Sequence, residues 1–337
     1  MEVRKLEPTS LWNHFADLNE VPRPSKKEER VIQFMVDFGK NLGLETHTDK
    51  IGNIIIKKPA TEGMEDRQTV ILQSHVDMVH QKNNDTNFDF DKEGIKMVVD
   101  GDWVKAEGTT LGADNGLGVA TIMALLSSDD IPHPALEAMF TVDEETGMTG
   151  AKELDPSFYD GTILLNLDTE DDDELSIGCA GGIDTNTRYE YEELYSLEDV
   201  QAYRVEIKGL KGGHSGMDID KGRANANKLM TRFIYEAGMD VMLHSFDGGG
   251  LRNAIPREAV AVVSVLTMEK ENFESFVKKV KDELYTEFDP VEPNLTIELN
   301  KVDTPDKMVS GHEREKMIRS LYALHNGVFK LSLKFEG

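Results

Sequence analysis

The chain has 337 residues, 39% of them hydrophobic, which is enough to build two hydrophobic cores of ordinary size. It carries 63 acidic residues against 37 lysines and arginines, and the formal net charge of −26 argues against nucleic acid and anionic lipid as partners. The single cysteine, Cys179, excludes an internal disulfide. The sequence shows neither a signal peptide nor an apolar run of the ~18–20 residues that cross a membrane, so we expect a cytoplasmic protein with no membrane partner.

The first half of the chain alternates between helical and strand-like patterns. The predicted helices cover residues 8–20, 26–42 and 116–126. The predicted strands cover residues 45–48, 53–57, 69–73, 135–142 and 162–165, with a hairpin around residues 100–101. This alternation predicts an α/β domain over residues 1–183, with a mostly parallel sheet and helices on both faces.

The pattern changes after about residue 184. Strands are predicted over residues 185–190, 202–207 and 259–267, and helices over 222–236 and 271–285. Tyr203, Val205 and Ile207 alternate as the residues of a half-exposed strand do, with all three on one face. We therefore expect a second, smaller α+β domain over residues 184–337.

Four polar clusters carry the candidate chemistry, and three of them directly follow a predicted strand. They are Ser74-His75-Val76-Asp77, Gly112-Ala113-Asp114-Asn115-Gly116, Asp143-Glu144-Glu145-Thr146-Gly147 and Asn166-Leu167-Asp168-Thr169. Side chains at the carboxyl ends of strands in an open α/β sheet converge on one crevice. An imidazole and several carboxylates that meet there form a site for divalent metals, so the clusters predict a metallohydrolase.

The spacing inside the clusters refines this prediction. His75 and Asp77 are two residues apart at a strand end, so their side chains point to the same side, and a metal-bound imidazole commonly donates its other N–H to a carboxylate. Glu144 and Glu145 point in opposite directions, so one can bind metal while the other reaches the reacting water. Each motif alone has a simpler interpretation: Asp114 as a helix cap, for example, or the two glutamates as a surface pair. Their combination favours the metal site.

A longer series of motifs runs along the chain in a fixed order. SHVDMV, GADNGLG, DEETGMTGA and NLDTE are followed by CAGG, LKGGHSG, GRANA and RNAIPREA. This series resembles the family of di-zinc metallopeptidases that includes bacterial aminoacyl-histidine (Xaa-His) dipeptidases, with carnosinases and aminoacylases as more distant members. The resemblance implies hydrolysis of dipeptides such as β-alanyl-histidine, two zinc ions that Mn²⁺ or Co²⁺ can replace, and a homodimer. It also implies that residues 184–337 form a lid or dimerisation domain beside the catalytic domain.

The resemblance implies a set of metal ligands in this sequence. His75 and Asp168 would hold one metal, and Glu145 would hold the second. Asp114 would bridge the two metals, and the peptide bond between Asp114 and Asn115 would be cis.

The resemblance also implies catalytic and substrate-binding roles. Asp77 would orient His75, and Glu144 would be the general base that acts on the attacking water. His214 would help to bind the oxyanion. Arg252 and Asn253 are weaker candidates for binding the carboxylate of the substrate.

The chain departs from the family in one respect. The family has a fifth ligand, a histidine near the C-terminus, and none of the nine histidines of this chain has its sequence setting. We therefore expect a C-terminally truncated chain whose two domains are incomplete, which binds one metal through His75, Asp114 and Asp168 and a second metal weakly. Two alternatives to a dipeptidase remain open: a catalytically incomplete metal-binding fragment, and a deacylase that acts on N-acyl amino acids.

Overall fold

The computed structural model describes residues 2–169, 181–238 and 240–333. The chain divides into two compact units, Met1–Gly181 and Gly182–Gly337. The division falls after residue 181, against residue 183 in the prediction. Cys179 and the acidic run Glu170–Glu174 lie outside the described residues.

The first unit is built around a five-stranded sheet. Its strands are β1 (Glu45–Thr48), β2 (Ile54–Lys58), β3 (Val70–His75), β6 (Leu136–Thr141) and β7 (Ile163–Asn166), while β4 (Met97–Asp100) and β5 (Trp103–Ala106) form the predicted hairpin. The order across the sheet is β1-β2-β6-β3-β7. β3 is parallel to β6 and β7, and β2 is antiparallel to β1 and β6, so four of the five strands run the same way. The predicted mostly parallel sheet is confirmed.

Three long helices and several short ones cover this sheet. The helices are α1 (Thr9–Asn19), α2 (Glu29–Asn41), α3 (Ala113–Ser127), α4 (Glu144–Gly147) and α5 (Thr149–Lys152), with 3₁₀ turns at Val3–Lys5 and Pro156–Phe158. The buried residues of α2 recur every four positions, at Val31, Met35 and Gly39, as an amphipathic helix requires.

The core of the first unit lies between α1–α3 and one face of the sheet. Leu18, Met35 and Ile122 of the helices pack with Ile54 and Ile56 of β2, and none of these five side chains is exposed. Each such buried side chain stabilises the fold by about 1.5–3 kcal/mol.

The connection from β6 to β7 contacts the opposite face of the sheet at Glu137. Glu137 of β6 is buried and accepts the backbone N–H groups of Asp160 at 3.1 Å and Gly161 at 3.0 Å. This connection contains α4, α5 and the second 3₁₀ turn.

The second unit is an α+β fold, also as predicted. Its strands are β8 (Glu193–Tyr195), β9 (Val200–Lys208), β10 (Met242–Gly248), β11 (Ala259–Leu266), β12 (Thr296–Val302) and β13 (Lys307–Val309). Its helices are α6 (Ala226–Glu236), α7 (Lys270–Phe288) and α8 (Gly311–Ala323), with a 3₁₀ turn at Thr267–Glu269. Four strands form an antiparallel sheet in the order β10-β11-β9-β12, and β8 pairs with β13.

The core of the second unit lies between this sheet and its helices. Tyr203, Val205 and Ile207 of β9 are buried against Phe233 of α6 and Val277 of α7. The alternation in the sequence therefore identified the buried face of β9 correctly.

One predicted strand of the second unit is wrong. Residues 185–190 form no strand, and every one of them is exposed, so the alternating pattern there has no surface to pack against. The strand in this part of the chain begins later, at Glu193. Across residues 2–169, 181–238 and 240–333, no helix combines the length and apolar character that crossing a membrane requires.

Candidate metal centre

The predicted clusters meet at one edge of the first sheet. β3 lies between β6 and β7, with His75 opposite Thr141 of β6 and Gln73 opposite Asn166 of β7. The residues that follow these parallel strands therefore emerge side by side. Two groups of ligand atoms each lie within 4.8 Å of one another: His75, Asp114 and Asp168 form one group, and His75, Glu144 and Glu145 form the other.

His75 is the centre of the cluster and belongs to both groups. Its Nε2 lies 3.1 Å from Asp114 Oδ1, 3.6 Å from Asp168 Oδ1 and 3.9 Å from Glu144 Oε2. The His75 side chain is 1% exposed, whereas that of Asp114 is 53% exposed, so the centre is open to solvent on the Asp114 side. Burial alone would lower the pKa of His75, but its pairing with Asp114 and Asp77 outweighs burial and raises the pKa to about 10.

Asp114 reaches His75 from an irregular start of α3. Gly112 has a φ of +70°, and Asp114 and Asn115 have non-helical backbone angles. The Asp114–Asn115 peptide bond is cis, as the resemblance implied. Asn115 Nδ2 donates to the Leu167 carbonyl at 2.8 Å and to the Asp168 carboxylate, so this turn is tied to the end of β7.

Asp77 holds both sides of the centre together. Its side chain is fully buried, with Oδ1 3.2 Å from His75 Nδ1. Oδ1 also accepts the backbone N–H of Glu144 at 3.0 Å, while Oδ2 accepts that of Glu145 at 3.3 Å and the Ser25 hydroxyl at 2.8 Å. Burial raises the pKa of Asp77, but His75 and these donors lower it by more, so the net pKa is below its usual value. One carboxylate thus lies against the imidazole and binds the backbone of both glutamates.

Replacing Asp77 with asparagine should lower the free energy of unfolding of the metal-free protein by about 1–3 kcal/mol. Each Asp77 oxygen faces donors, so in either orientation the amide NH₂ of asparagine would point at another donor. Chemical denaturation measures the loss. Asp102→Asn, at an exposed position, is the matched control and should change little. Equal stability of the two variants would contradict this role of Asp77.

The two glutamates follow a tight turn after β6. Asp143 has a φ of +52°, and its carboxylate accepts hydrogen bonds from Lys26, Thr146 and Thr149. Burial, followed by the nearby charges of Asp114 and Glu144, raises the pKa of Glu145 to about 7. Burial also raises the pKa of Glu144.

The donor set fits a divalent metal. Glu145 Oε1 is buried and has no hydrogen-bond partner in the structure. A buried oxygen without a partner lowers the stability of the fold unless a bound ligand such as a metal ion contacts it. One imidazole nitrogen and several carboxylate oxygens are donors that zinc accepts. A third acidic group, Glu28, Asp77 and Asp143, lies behind the centre. This third group differs from the other two because each of its carboxylates already accepts a hydrogen bond. Glu28, for example, accepts the backbone N–H of Lys26 at 2.9 Å.

Sequence reasoning missed three groups that contact the ligand-bearing segments: the side chains of Arg23, Ser25 and Asn115. Arg23 and Ser25 belong to the stretch Pro22-Arg-Pro-Ser25, which has no periodicity or ligand spacing to signal a role. Asn115 was seen only as a neighbour of Asp114. Their roles depend on tertiary contacts that no local pattern encodes.

The remaining candidate residues, His214, Arg252 and Asn253, belong to the second unit. His214 is exposed, and its Nδ1 accepts the backbone N–H groups of Gly216 at 3.1 Å and Met217 at 3.2 Å. In the neutral ring the proton is therefore on Nε2, which can donate to an anion. The backbone N–H of Ser215 donates to the Asn253 carbonyl at 2.8 Å, so His214 and Asn253 lie on adjacent segments. Arg252 forms an ion pair with Asp184.

Comparison with known proteins identifies relatives along the whole chain. Residues 205–292 match the model of the peptidase dimerisation domain. The chain is 42% identical over 333 residues to the cytosol non-specific dipeptidase of Escherichia coli strain K12, an alignment that covers 98% of this chain and 69% of that enzyme. The crystal structure of aminoacylhistidine dipeptidase from Vibrio alginolyticus superposes with a TM-score of 0.54 at 40% identity, covering 100% of this chain and 69% of that one. The family inferred from the motifs is thereby confirmed: the chain belongs to the peptidase family of these two dipeptidases.

Proposed function

We propose that the protein is a metal-dependent dipeptidase of the cytoplasm that hydrolyses short peptides, including those of the Xaa-His type. The convergence of Asp114, Asp168, Glu144 and Glu145 around the buried His75 is the observation that carries this proposal. The two relatives are dipeptidases by name, one of them a cytosolic enzyme, which supports the substrate class and the compartment.

Zinc is the metal we propose, with Mn²⁺ or Co²⁺ as substitutes. His75, Asp114 and Asp168 would hold one ion, and Glu145 would hold a second that Asp114 shares. Bound zinc lowers the pKa of water towards 7 and polarises the carbonyl that is attacked. Glu145 lies in a second group of ligand atoms that shares His75 with the first, which supports a second, weaker ion beside the first.

The chain's own residues then carry the proton transfers. Glu144 takes the proton of the attacking water and later donates it to the leaving amine. Burial raises the pKa of Glu144 and so moves it towards the operating pH, at which a base works best. Asp77 keeps His75 in the orientation that points Nε2 at the ligands.

The second unit supplies substrate contacts in this proposal. His214 would donate from Nε2 to the oxyanion, and Asn253 and Arg252 are the weaker candidates for binding the carboxylate of the peptide. The match of residues 205–292 to a dimerisation domain supports a homodimer.

Hydrolysis of β-alanyl-histidine by the purified protein tests the function. We expect turnover with added zinc, loss of turnover with a chelator, and recovery when zinc is restored. N-acetyl amino acids should be cleaved much more slowly. Faster cleavage of these than of dipeptides would point to a deacylase, and zinc binding without cleavage of either would point to a metal-binding fragment.

The affinity for zinc should rise steeply with pH. Because the pKa of His75 is about 10 without metal, the ring is protonated at neutral pH and must lose a proton to bind zinc. Affinity should therefore increase by up to ~10-fold per pH unit between pH 7 and 9. Occupancy of the second position, which Glu145 would hold, should fall further below pH 7, because the pKa of Glu145 is about 7. Competition titrations with a chromophoric chelator measure this, and an affinity that is flat between pH 7 and 9 would contradict it.

A further inference from the structure

Arg23 is a fully buried cation beneath the metal centre. It stands between Pro22 and Pro24, and its side chain is 1% exposed. Burying a guanidinium is costly unless its N–H groups are hydrogen-bonded and its charge is offset. Its surroundings therefore indicate what it does.

The guanidinium joins two segments that carry metal ligands. Nη1 donates to the carbonyls of Val76 and Asp77, both at 3.1 Å, in the segment that follows His75. Nη2 donates at 2.6 Å to the carbonyl of Gly112, two residues before Asp114. The planar fork of arginine suits such multiple contacts, which a lysine ammonium cannot reproduce in the same geometry.

The glycines of the Asp114 turn leave room for this group. A Cβ atom on Gly112 would lie 2.6 Å from Arg23 Nη2, and one on Gly116 would lie 2.7 Å from it. Both distances are too short for real contacts. A side chain at either position would therefore collide with the guanidinium, and glycine avoids this collision at both.

Arg23 carries a buried positive charge that is hydrogen-bonded to neutral groups and not to a carboxylate. Its hydrogen-bond partners are neutral: the three backbone carbonyls and Asn19 Oδ1, at 3.1 Å from Nη2. Burial lowers the pKa of Arg23 to about 10, while the charges of Asp77, Asp114 and Glu145 support its protonated form. The arginine is therefore a fixed positive charge at neutral pH, close to the crowded carboxylates.

We infer that Arg23 is a positioning residue of the metal centre: it locks the His75–Asp77 segment to the Gly112–Asn115 turn, so that His75 Nε2 and the Asp114 carboxylate are held at ligand spacing before metal binds. The inference rests on the proposed function for the identity of the ligands. It adds a residue that makes no contact with metal or substrate but sets the distance between two ligands.

Cobalt titration of Arg23→Lys and Arg23→Met tests this role. The lysine keeps the charge without the fork, and the methionine removes both. Visible absorption of bound Co²⁺ reports the coordination geometry, independently of turnover. We expect Co²⁺ affinity to fall ~10–100-fold, as when partners that orient ligands are lost. The absorption bands should shift, and at saturating metal kcat should fall while KM changes less than twofold. Circular dichroism confirms that the variants fold.

Arg4→Lys is the matched control, because Arg4 pairs with Asp17 and Glu20 at 2.7 and 2.9 Å and bridges no ligand segments. Folded Arg23 variants with unchanged affinity, spectrum and kcat would overturn the inference. Should both fail to fold, Asn19→Ser removes the Asn19 acceptor of Nη2 together with the Asn19 Nδ2 donor to the Leu111 carbonyl at 3.0 Å. Asn19→Asp keeps the acceptor and loses the same donor, so it is the control. Weaker cobalt affinity in Asn19→Ser than in Asn19→Asp supports the inference, and equal affinities overturn it.

The wild-type protein separates this inference from the proposed function. If it binds Co²⁺ but hydrolyses no dipeptide, the proposed function fails while the affinity and spectral measurements still test Arg23. If it binds no Co²⁺, both fail.

Discussion

Replacing Glu144 with glutamine should lower kcat for dipeptide hydrolysis by about 10²–10⁴-fold, the usual contribution of a general base, with KM and zinc affinity within a few-fold of wild type. The amide cannot accept a proton from water. The fold should be unaffected because Asp77 binds the backbone N–H of Glu144 and not its side chain. Steady-state kinetics with β-alanyl-histidine, together with zinc titration, measure both quantities.

Glu153→Gln provides the control for this substitution, because Glu153 is exposed and lies outside the two ligand groups. It should behave as wild type. A Glu144→Gln variant with near-normal kcat would contradict the role of base. Loss of zinc from that variant would mean that Glu144 is a ligand and that its role has been exchanged with that of Glu145.

Replacing His75 with alanine should weaken metal binding more than Glu144→Gln does. His75 belongs to both ligand groups and is the one histidine in each of them. Loss of a residue that orients a ligand costs ~10–100-fold in affinity, so loss of the ligand itself should cost more than ~100-fold. Activity should disappear at micromolar zinc. Removing the protonated imidazole also leaves Asp77, Asp114 and Asp168 without their shared cation in the metal-free protein.

Competition with a chromophoric chelator and metal analysis of the dialysed protein measure this loss. His47→Ala is the control, since His47 is exposed and its ring nitrogen pairs with Glu45 at 2.8 Å, outside the two ligand groups. If His75→Ala retained zinc as tightly as His47→Ala, the metal would lie elsewhere.

The sheet and the positions of the polar clusters could be predicted because they depend on local patterns. An apolar run followed by a polar cluster indicates a strand and its polar end, so the clusters that contain His75, Glu145 and Asp168 stood out in the sequence, and the structure brings them near Asp114. Their roles as ligands came from the family resemblance and stay predictions. Parallel strands then bring these ends together whatever the details of packing. The alternation of Tyr203, Val205 and Ile207 likewise identified a buried strand face in the second unit.

The parts that could not be predicted depend on contacts that are distant in sequence. Arg23 is a lone arginine between two prolines, and its importance follows only from carbonyls 53 or more residues away. Residues 185–190 show the opposite case, where a strand-like alternation has no buried partner and forms no strand. Strands β10, β12 and β13 and helix α8 were not predicted from the sequence.

Zinc-edge anomalous diffraction from crystals soaked in zinc tests the central claim most directly. The strongest peak should lie ~2.0–2.2 Å from His75 Nε2 and from carboxylate oxygens of Asp114 and Asp168. A weaker peak should lie beside Glu145. A strongest peak at another group, such as Glu28, Asp77 and Asp143, or no peak at His75 in crystals of active protein, would contradict the account.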